Sequence, residues 1–445
     1  MAKADTMTRF EATLDERVGA VVDACTRCGK CVEVCPTPKI ADIAGAPEAI
    51  AGGVIDILKG QVADAPSARW AEVCCGSGFC IAACPEGINP RFMLAMARRV
   101  LSRANEADAR RETGKQAFKT MSRGVKVLSR LQLAPELMAR LSPASHPAHD
   151  GGAPDIVFYT GCNLLKTPHI GLLCLDVLDG LDVSYEVHGG LSNCCGILQL
   201  RAGDDANGGR QLMQTAKRYT DTGAAEVISW CPTCHIQFDE IAGDVDFGIA
   251  MFPVFLARRL DALKAKMTRR VPKRIALVEF PGALGVTDAV LELLGAIDGL
   301  EVVTLEMPAD VPRAGYQMSA FTALPDFRRR MIAETFRAAE REGVDAVVSV
   351  FHADHRELAS HEAQWPFEIV NYMELIGEAM GLGREDVYKR LKLMQDVDAI
   401  FAAVADQAAR HGLDAETVRE VIAADMLGDQ HLPVERERHP APAKP

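Results

Sequence analysis

The 445-residue sequence has no run of about 18 apolar residues, the length that a membrane-crossing helix requires. Its most apolar window, Phe247 to Ala257, is short and interrupted by Pro253. The first ten residues are polar and lead into an acidic amphipathic stretch, so no secretory leader is expected. Positive charge is in deficit. The 49 Lys and Arg against 61 Asp and Glu leave a net −12, which repels nucleic acid and anionic membrane surfaces. No Gly-x-Gly-x-x-Gly follows an apolar strand, so a flavin or nicotinamide site of that type is not expected. No cysteine occurs beyond Cys234. The expectation is a cytoplasmic chain that makes no nucleic-acid contacts and reaches the inner membrane only through a partner.

What the chain has in excess is clustered cysteine. Thirteen of its fourteen cysteines fall into three groups. In a reducing compartment, such grouping points to metal ligands or redox centres and away from disulfides.

The first group is Cys25, Cys28, Cys31 and Cys35, followed by Pro36. Three thiolates at this spacing wrap one face of a [4Fe-4S] cubane, and in two-cluster ferredoxins the fourth ligates the other cluster. Gly29 permits the tight wrap. Zinc usually takes two separated Cys-x2-Cys pairs instead. The second group is Cys74, Cys75, Cys80 and Cys84, followed by Pro85. Counting back by three from Cys80 reaches Ser77 and then Cys74, so the regular second ligand is a serine. Either Cys75 substitutes and gives an irregular four-thiolate site, or Ser77 marks an alkoxide ligand or a three-iron cluster. Thiolate is the softer donor, which favours Cys75. By the crossover rule one cluster takes Cys25, Cys28, Cys31 and Cys84, and the other takes Cys35, Cys74, Cys75 and Cys80. The residues between the two groups form an insertion with one helix expected near Ala46 to Leu58.

The third group is Cys162, Cys194-Cys195-Gly196 and Cys231-x2-Cys234. Each cysteine is expected at the end of an apolar strand or just after it. In open α/β sheets the carboxyl ends of strands form the binding crevice, so distant cysteines would converge there. Five thiolates exceed the four of a cubane, and adjacent Cys194 and Cys195 suit neighbouring irons. Cys174, on an apolar helix, reads as a buried small hydrophobe. His188 and His235 flank the motif and could move protons, but read better as surface or capping histidines. Gly189-Gly190 is expected to let backbone approach the cluster. Lys166 could steer an anionic sulfur substrate but reads better as solvated.

From residue 155 onward apolar strands alternate with helices, and the pattern runs twice. Strands are expected at Asp155–Tyr159, Val183–Val187 and Glu226–Trp230, then at Arg274–Phe280, Glu301–Leu305 and Asp345–Phe351. Helices are expected between them, including His169–Leu178, Gly209–Thr222, Val286–Ile297 and Phe327–Glu342. The fold class is α+β: an N-terminal helical two-cluster ferredoxin module, then two tandem α/β repeats with largely parallel sheets. The domains are 1–104, a helical linker 105–154, a cluster-binding repeat 155–265, a second repeat 270–382, and a helical extension 383–445. The extension's charged, Pro-rich tail from Gln430 is expected to be disordered.

On these motifs the chain resembles heterodisulfide reductases. The Cys-Cys-Gly set is similar to the cysteine-rich domain of their B subunits. That domain recurs in iron–sulfur subunits of glycolate and lactate oxidation and in sulfite-reductase-linked complexes. The N-terminal module is similar to the C subunit, and the order of the two resembles the fused D subunit. The resemblance covers roughly residues 20–380. It implies that Cys162, Cys194, Cys195, Cys231 and Cys234 hold a non-cubane four-iron cluster, with Cys194 and Cys195 at the centre of disulfide-type chemistry. It also implies other redox subunits as partners, a flavoprotein or a membrane subunit that meets quinone.

The second repeat departs from the family pattern. Its Cys-Cys-Gly position reads Arg313-Ala314-Gly315, its Cys-x2-Cys position reads Phe351 to Asp354, and its first cysteine falls near Pro281. His352, Asp354 and His355 offer metal donors there, but a degenerate repeat kept as scaffold is the better reading. Two functions follow. One is a redox subunit acting on a thiol, disulfide or persulfide. The other is a non-catalytic adaptor linking a flavin 2-hydroxy-acid dehydrogenase to quinone.

Overall fold

A computed structural model describes residues 2–62, 64–143, 152–243, 245–280, 282–311, 313, 324–428 and 430–442, without the side chains of 2–9 and 283. Most of the stretch from Ser142 to Pro154, read as a linker by its composition, lies outside the described residues. So do Pro281, Ala314 and Gly315 of the second repeat.

The N-terminal module is helical. Helices Ala2–Ala24, Pro47–Leu58, Ala65–Glu72 and Pro90–Ser102 close around Phe10, Leu14, Val54, Trp70 and Phe92. Their starts are written locally. Asp64 accepts from the Ser67 amide and Asn89 from the Phe92 amide, each just ahead of a proline in the first turn. The insertion between the cysteine groups therefore carries a second full helix, Ala65–Glu72, beyond the one expected. Trp70 and Ala71 anchor it in the core.

The two repeats are each a four-stranded parallel sheet of the same order. In the first, β1 (Ile156–Gly161), β2 (Tyr185–Gly189), β3 (Glu226–Ser229) and β4 (Gly248–Met251) run in the order β2-β1-β3-β4. In the second, β5 (Arg274–Val278), β6 (Glu301–Val303), β7 (Ala346–Ser349) and β8 (Glu368–Asn371) run β6-β5-β7-β8. All pairings are parallel. The apolar segments that close each repeat in sequence thus hold a fourth strand followed by a helix, a division their unbroken hydrophobicity hides. Strand β1 is buried at every position, as a sheet covered on both faces demands.

The sheets pack into one shared core. Trp230, just past β3, stacks on Tyr372 of the second repeat with centroids 5.9 Å apart and planes 3° apart. Helix Ala107–Gln132 is no free linker: Val127, Leu128 and Leu131 pack on Tyr388, Leu391, Ile400 and Val418 of the C-terminal extension. The tail from Gln430, expected to be disordered, packs through its described residues. Leu432 is fully buried, and the Arg436 guanidinium lies 3.7 Å from the centre of the Trp365 ring while pairing with Glu340. Composition missed this because one leucine and one stacking arginine hold a segment that is otherwise polar.

The module is locked to the first repeat by buried ion pairs. Arg91 donates from Nε to both Glu240 oxygens, at 3.0 and 3.1 Å, and from Nη1 to the Gly76 carbonyl. Arg99 pairs with Asp205 at 2.8 Å. The loop of the second cysteine group is thereby fixed against the repeat.

Candidate metal centres

The first two cysteine groups interleave. Cys25, Cys28 and Cys31 share one cleft with Cys84 from the second group. Cys31 is pushed up to about 12 by burial and by the neighbouring Cys25, Cys28 and Cys84 thiols. Elsewhere Cys35 meets Cys74 and Cys75. A hydrogen bond from Cys75 lowers Cys35 and raises Cys75 well above the usual thiol value. The Trp70 indole also donates to Cys35 Sγ at 3.3 Å. Burial raises Cys74 and Cys80, and Cys80 also feels Cys74 and Cys31. Ser77 is buried beside this group, and its backbone amide donates to the Cys75 thiol.

The five cysteines of the third group line one cavity of about 480 Å³. Strand order explains the convergence. Cys162 directly follows β1. Cys231 caps the short helix Pro232–Ile236 after β3, and that helix carries Cys234. Cys194 and Cys195 come after the turn Leu191–Asn193 beyond β2, further from their strand than expected. Gly196 then takes φ 73°, and a Cβ there would lie 2.2 Å from the Gly208 carbonyl oxygen, so no other residue fits after the cysteine pair. The residue that lets backbone approach the thiols is Gly161, where an added Cβ would sit 3.5 Å from Cys234 Sγ. Gly189-Gly190 does not: a Cβ on Gly189 would strike the Leu141 carbonyl oxygen and one on Gly190 would strike Ser142. Those glycines admit the preceding helix, a contact between distant segments that local sequence does not signal.

The thiols form a continuous hydrogen-bonded series. Cys162 is in hydrogen-bonding contact with Cys194, Cys194 with Cys195, and Cys234 with Cys195 and Cys231, its single proton shared between the last two. The acceptors ionise early: bonds from Cys194 and Cys234 pull Cys195 down to about 6, and the bond from Cys234 pulls Cys231 down to about 7. At Cys194 the bond from Cys162 lowers the value, but the bond to Cys195 and burial outweigh it and push the thiol up to about 12. Cys162 and Cys234 stand well above the usual value. Five thiols in contact, four of them buried, can all ionise only around a cationic centre, which is the donor chemistry of iron–sulfur clusters.

The second repeat supplies the other wall of this cavity: Phe280, Arg328, Phe351, His352, Asp354 and Arg356. Phe351 caps helix His352–Leu358 at the position Cys231 holds in the first repeat, and Asp354 stands where Cys234 does. Phe280 and Phe351 meet edge to face at 5.0 Å, so aromatic rings fill space that thiols occupy in the first repeat. Trp230 Nε1 donates to His352 Nδ1 at 3.1 Å across the divide. His352 and Asp354 face the cavity, while His355 turns away to hydrogen-bond Asp386 at 2.6 Å, so the three do not act as one donor set. Burial raises Asp354 to about 7 against the pull of Arg328 and Arg356. On sequence alone His352 and Asp354 stand only as metal donors, set aside in favour of scaffold, and Phe280, Arg328 and Arg356 are not singled out as site residues; Arg356, close to the vacated cysteine position, was the available signal.

The flanking residues differ from expectation. Lys166 is buried and pairs with Asp425 at 2.5 Å. His188 and His235 are buried, neither surface groups nor helix caps. His188 bonds Glu186 at 2.7 Å, and burial with Arg91 pushes His235 down to about 4. Neither lines the cavity. Cys174 is fully buried in the apolar core. Arg201 lies between centres. It lines the cavity, senses Cys195, Cys231 and Cys74, and is lowered to about 10 by burial and by Arg98.

Comparison with known proteins agrees with this geometry. Residues 24–89 match the 4Fe-4S dicluster domain family and residues 156–239 the cysteine-rich CCG family. Over 245 residues the chain is 24% identical to the D subunit of the dihydromethanophenazine:CoB–CoM heterodisulfide reductase of Methanosarcina barkeri. That match covers 51% of this chain and 59% of the relative's length. Among solved structures, an aspartate racemase homologue from Pyrococcus horikoshii covers 51% of this chain and 98% of its own at 14% identity, with a TM-score of 0.23, too low to carry any argument. The chain is an iron–sulfur electron-transfer protein that joins a ferredoxin-type dicluster module to a CCG domain, and it is similar to a heterodisulfide reductase subunit. No helix among the described residues is long and apolar enough to cross a membrane.

Proposed function

We propose that the chain is the iron–sulfur subunit of a heterodisulfide-reductase-like oxidoreductase that acts on a thiol, disulfide or persulfide at its five-cysteine site. The observation that carries this reading is the far wall of the cavity the five cysteines share: Arg201, Arg356 and Arg328, the last paired with Glu357, face the space that a cluster would occupy. That cationic lining suits an anionic sulfur compound.

On this reading Cys25, Cys28, Cys31 and Cys84 hold one [4Fe-4S] cluster, and Cys35, Cys74, Cys75 and Cys80 hold the second. The hydrogen bond between Cys35 and Cys75 supports Cys75 over Ser77 as the fourth ligand. Cys162, Cys194, Cys195, Cys231 and Cys234 hold a four-iron cluster, of the non-cubane kind if all five bind. When bound, these groups supply one-electron carriers in series and, at the last, iron with affinity for sulfur. The protein's own residues arrange the rest. Cys80 senses Cys31, and Arg201 senses both Cys74 and Cys195, which supports a succession of three sites. Reducing a disulfide takes two electrons and two protons and yields two thiols. Asp354, raised to about 7, can hold one of those protons against the cavity at neutral pH. Trp230, Phe280 and Phe351 exclude water from the back of the site. The partners are other redox subunits, a flavoprotein or a membrane subunit that meets quinone.

Electron paramagnetic resonance of the oxidised protein, titrated with small thiols, disulfides and persulfides, tests the reading. A substrate-dependent signal that vanishes in Cys194→Ala supports it. If none of these compounds perturbs the third centre, the chain is the adaptor between a flavin 2-hydroxy-acid dehydrogenase and quinone.

A further inference from the structure

On the far side of helix His352–Leu358 from the cavity, four donors converge: His169, His355, Glu374 and Asp386. One ligand atom from each lies within 4.8 Å of all the others. They come from four separate elements. His169 opens helix Pro168–Gly180 of the first repeat. His355 lies on helix His352–Leu358, Glu374 on helix Tyr372–Met380, and Asp386 caps helix Val387–Lys392. Both imidazoles are buried, His355 completely, and the Asp386 side chain is only 5% exposed.

The His169 ring is the telling group. It is buried, and neither of its nitrogens has a hydrogen bond. Nδ1 stands 3.3 Å from Asp386 Oδ1 and Nε2 stands 3.7 Å from Glu374 Oε1. An imidazole made to pair with these carboxylates would close on them to about 2.8 Å. Only one ring nitrogen can bind a metal, so one of these separations is a ligand–ligand distance and the other is not; the contact of His355 Nε2 with Asp386 Oδ2 at 2.6 Å holds a proton that an ion bound among the four donors would displace. Outer partners hold the ligands in place, as in protein metal sites. The Asn371 amide donates to Glu374 Oε1 at 2.7 Å, the Lys389 amide to Asp386 Oδ1 at 2.9 Å, and Ser349 Oγ lies 3.5 Å from His355 Nδ1.

We propose that His169, His355, Glu374 and Asp386 bind one divalent transition-metal ion, zinc, as a structural clamp between the two repeats. Two carboxylates and two neutral imidazoles balance the double charge. Four protein ligands in a buried setting close the coordination sphere and leave no position for substrate. Imidazole and carboxylate donors also separate this site from the thiolate centres, whose soft sulfur favours iron–sulfur clusters. The clamp holds the helix that presents Phe351, His352 and Asp354 to the cavity, and ties it to the helix that begins six residues after Cys162. It is independent of the reading of the thiolate centres, because none of its ligands is a cysteine.

Elemental analysis and zinc-edge X-ray absorption on the full-length, cluster-loaded protein test it. The expected result is one zinc per chain with nitrogen and oxygen neighbours only, kept in Cys194→Ala. His169→Gln, which leaves a polar side chain in place, is expected to lower zinc content at least tenfold with iron content unchanged. Protein prepared in the presence of zinc that binds none, or binds it through sulfur, overturns the proposal. If His169→Gln does not fold, the wild-type absorption spectrum decides by itself.

Discussion

The two repeats have the same sheet order, the same parallel pairings and the same short helix after the third strand, yet opposite contents at the carboxyl edge. The first gathers five thiols there. The second presents Phe351 and Asp354 where the first has Cys231 and Cys234. The difference shows that a strand edge supplies a place for chemistry and leaves the chemistry to side chains. Having no thiols, the second repeat became the facing wall of the first repeat's cavity. It contributes an acid, two guanidinium groups and aromatic bulk.

This contrast can be broken in several ways. The largest effect is expected from Cys195→Ala, which takes away the thiol that accepts from two neighbours; sulfur-substrate turnover should fall to background, measured by a coupled redox assay. Equal turnover in wild type and variant would make the first edge as inert as the second. Phe351→Ala, at the matching edge, should leave iron and sulfide content unchanged but cost about 3–5 kcal/mol in chemical denaturation, because a buried ring is replaced by a void.

Arg91→Leu strands Glu240 as a buried unpaired carboxylate. It is expected to cost about 3–5 kcal/mol, read as a lower unfolding midpoint. If it does not, the module is not held to the first repeat by that pair. Asp354→Asn should slow turnover about 100-fold while clusters load normally. Its pH profile is the sharper measure. The wild-type carboxyl keeps its proton up to about pH 7, so wild-type rate should fall as pH rises through 7 and the Asn variant should lack that limb. The linked stability effect has a definite sign. The folded value lies above the unfolded one of about 3.9, so wild type loses stability relative to Asp354→Asn as pH climbs from about 4 to 7. Smallest is Arg384→Ala, which deletes a partly exposed pair between the C-terminal extension and Asp176 of the first repeat and should cost about 1 kcal/mol in a thermal melt.

What could be read in advance follows physical range. The first two cysteine groups were legible because ligands two or three residues apart must wrap a common centre. The strands and the tandem order were legible because buried parallel strands are continuously apolar. The fourth strand of each sheet was not, since an apolar run reads alike through Met251 and Phe252 although one ends a strand and the other starts a helix. The roles of Gly189, Lys166 and His188 were not legible either. Gly189 and Lys166 are set by Leu141 and Asp425 from elsewhere in the structure, and His188 by the distant Tyr219 ring together with its neighbour Glu186. The cavity wall was missed for the same reason. No spacing in one repeat announces which side chains of the other will face it.

Arg201 has a consequence for energy conversion. A positive charge favours the more negative state of any centre near it, so it raises reduction potential. Arg201 senses Cys74 on one side and Cys195 and Cys231 on the other, so its charge raises both neighbours together. The driving force for the step between them is a difference, and a shared shift largely cancels from it. Where clusters fill both cysteine sites, one side chain therefore shifts their two potentials together and changes the difference between them less.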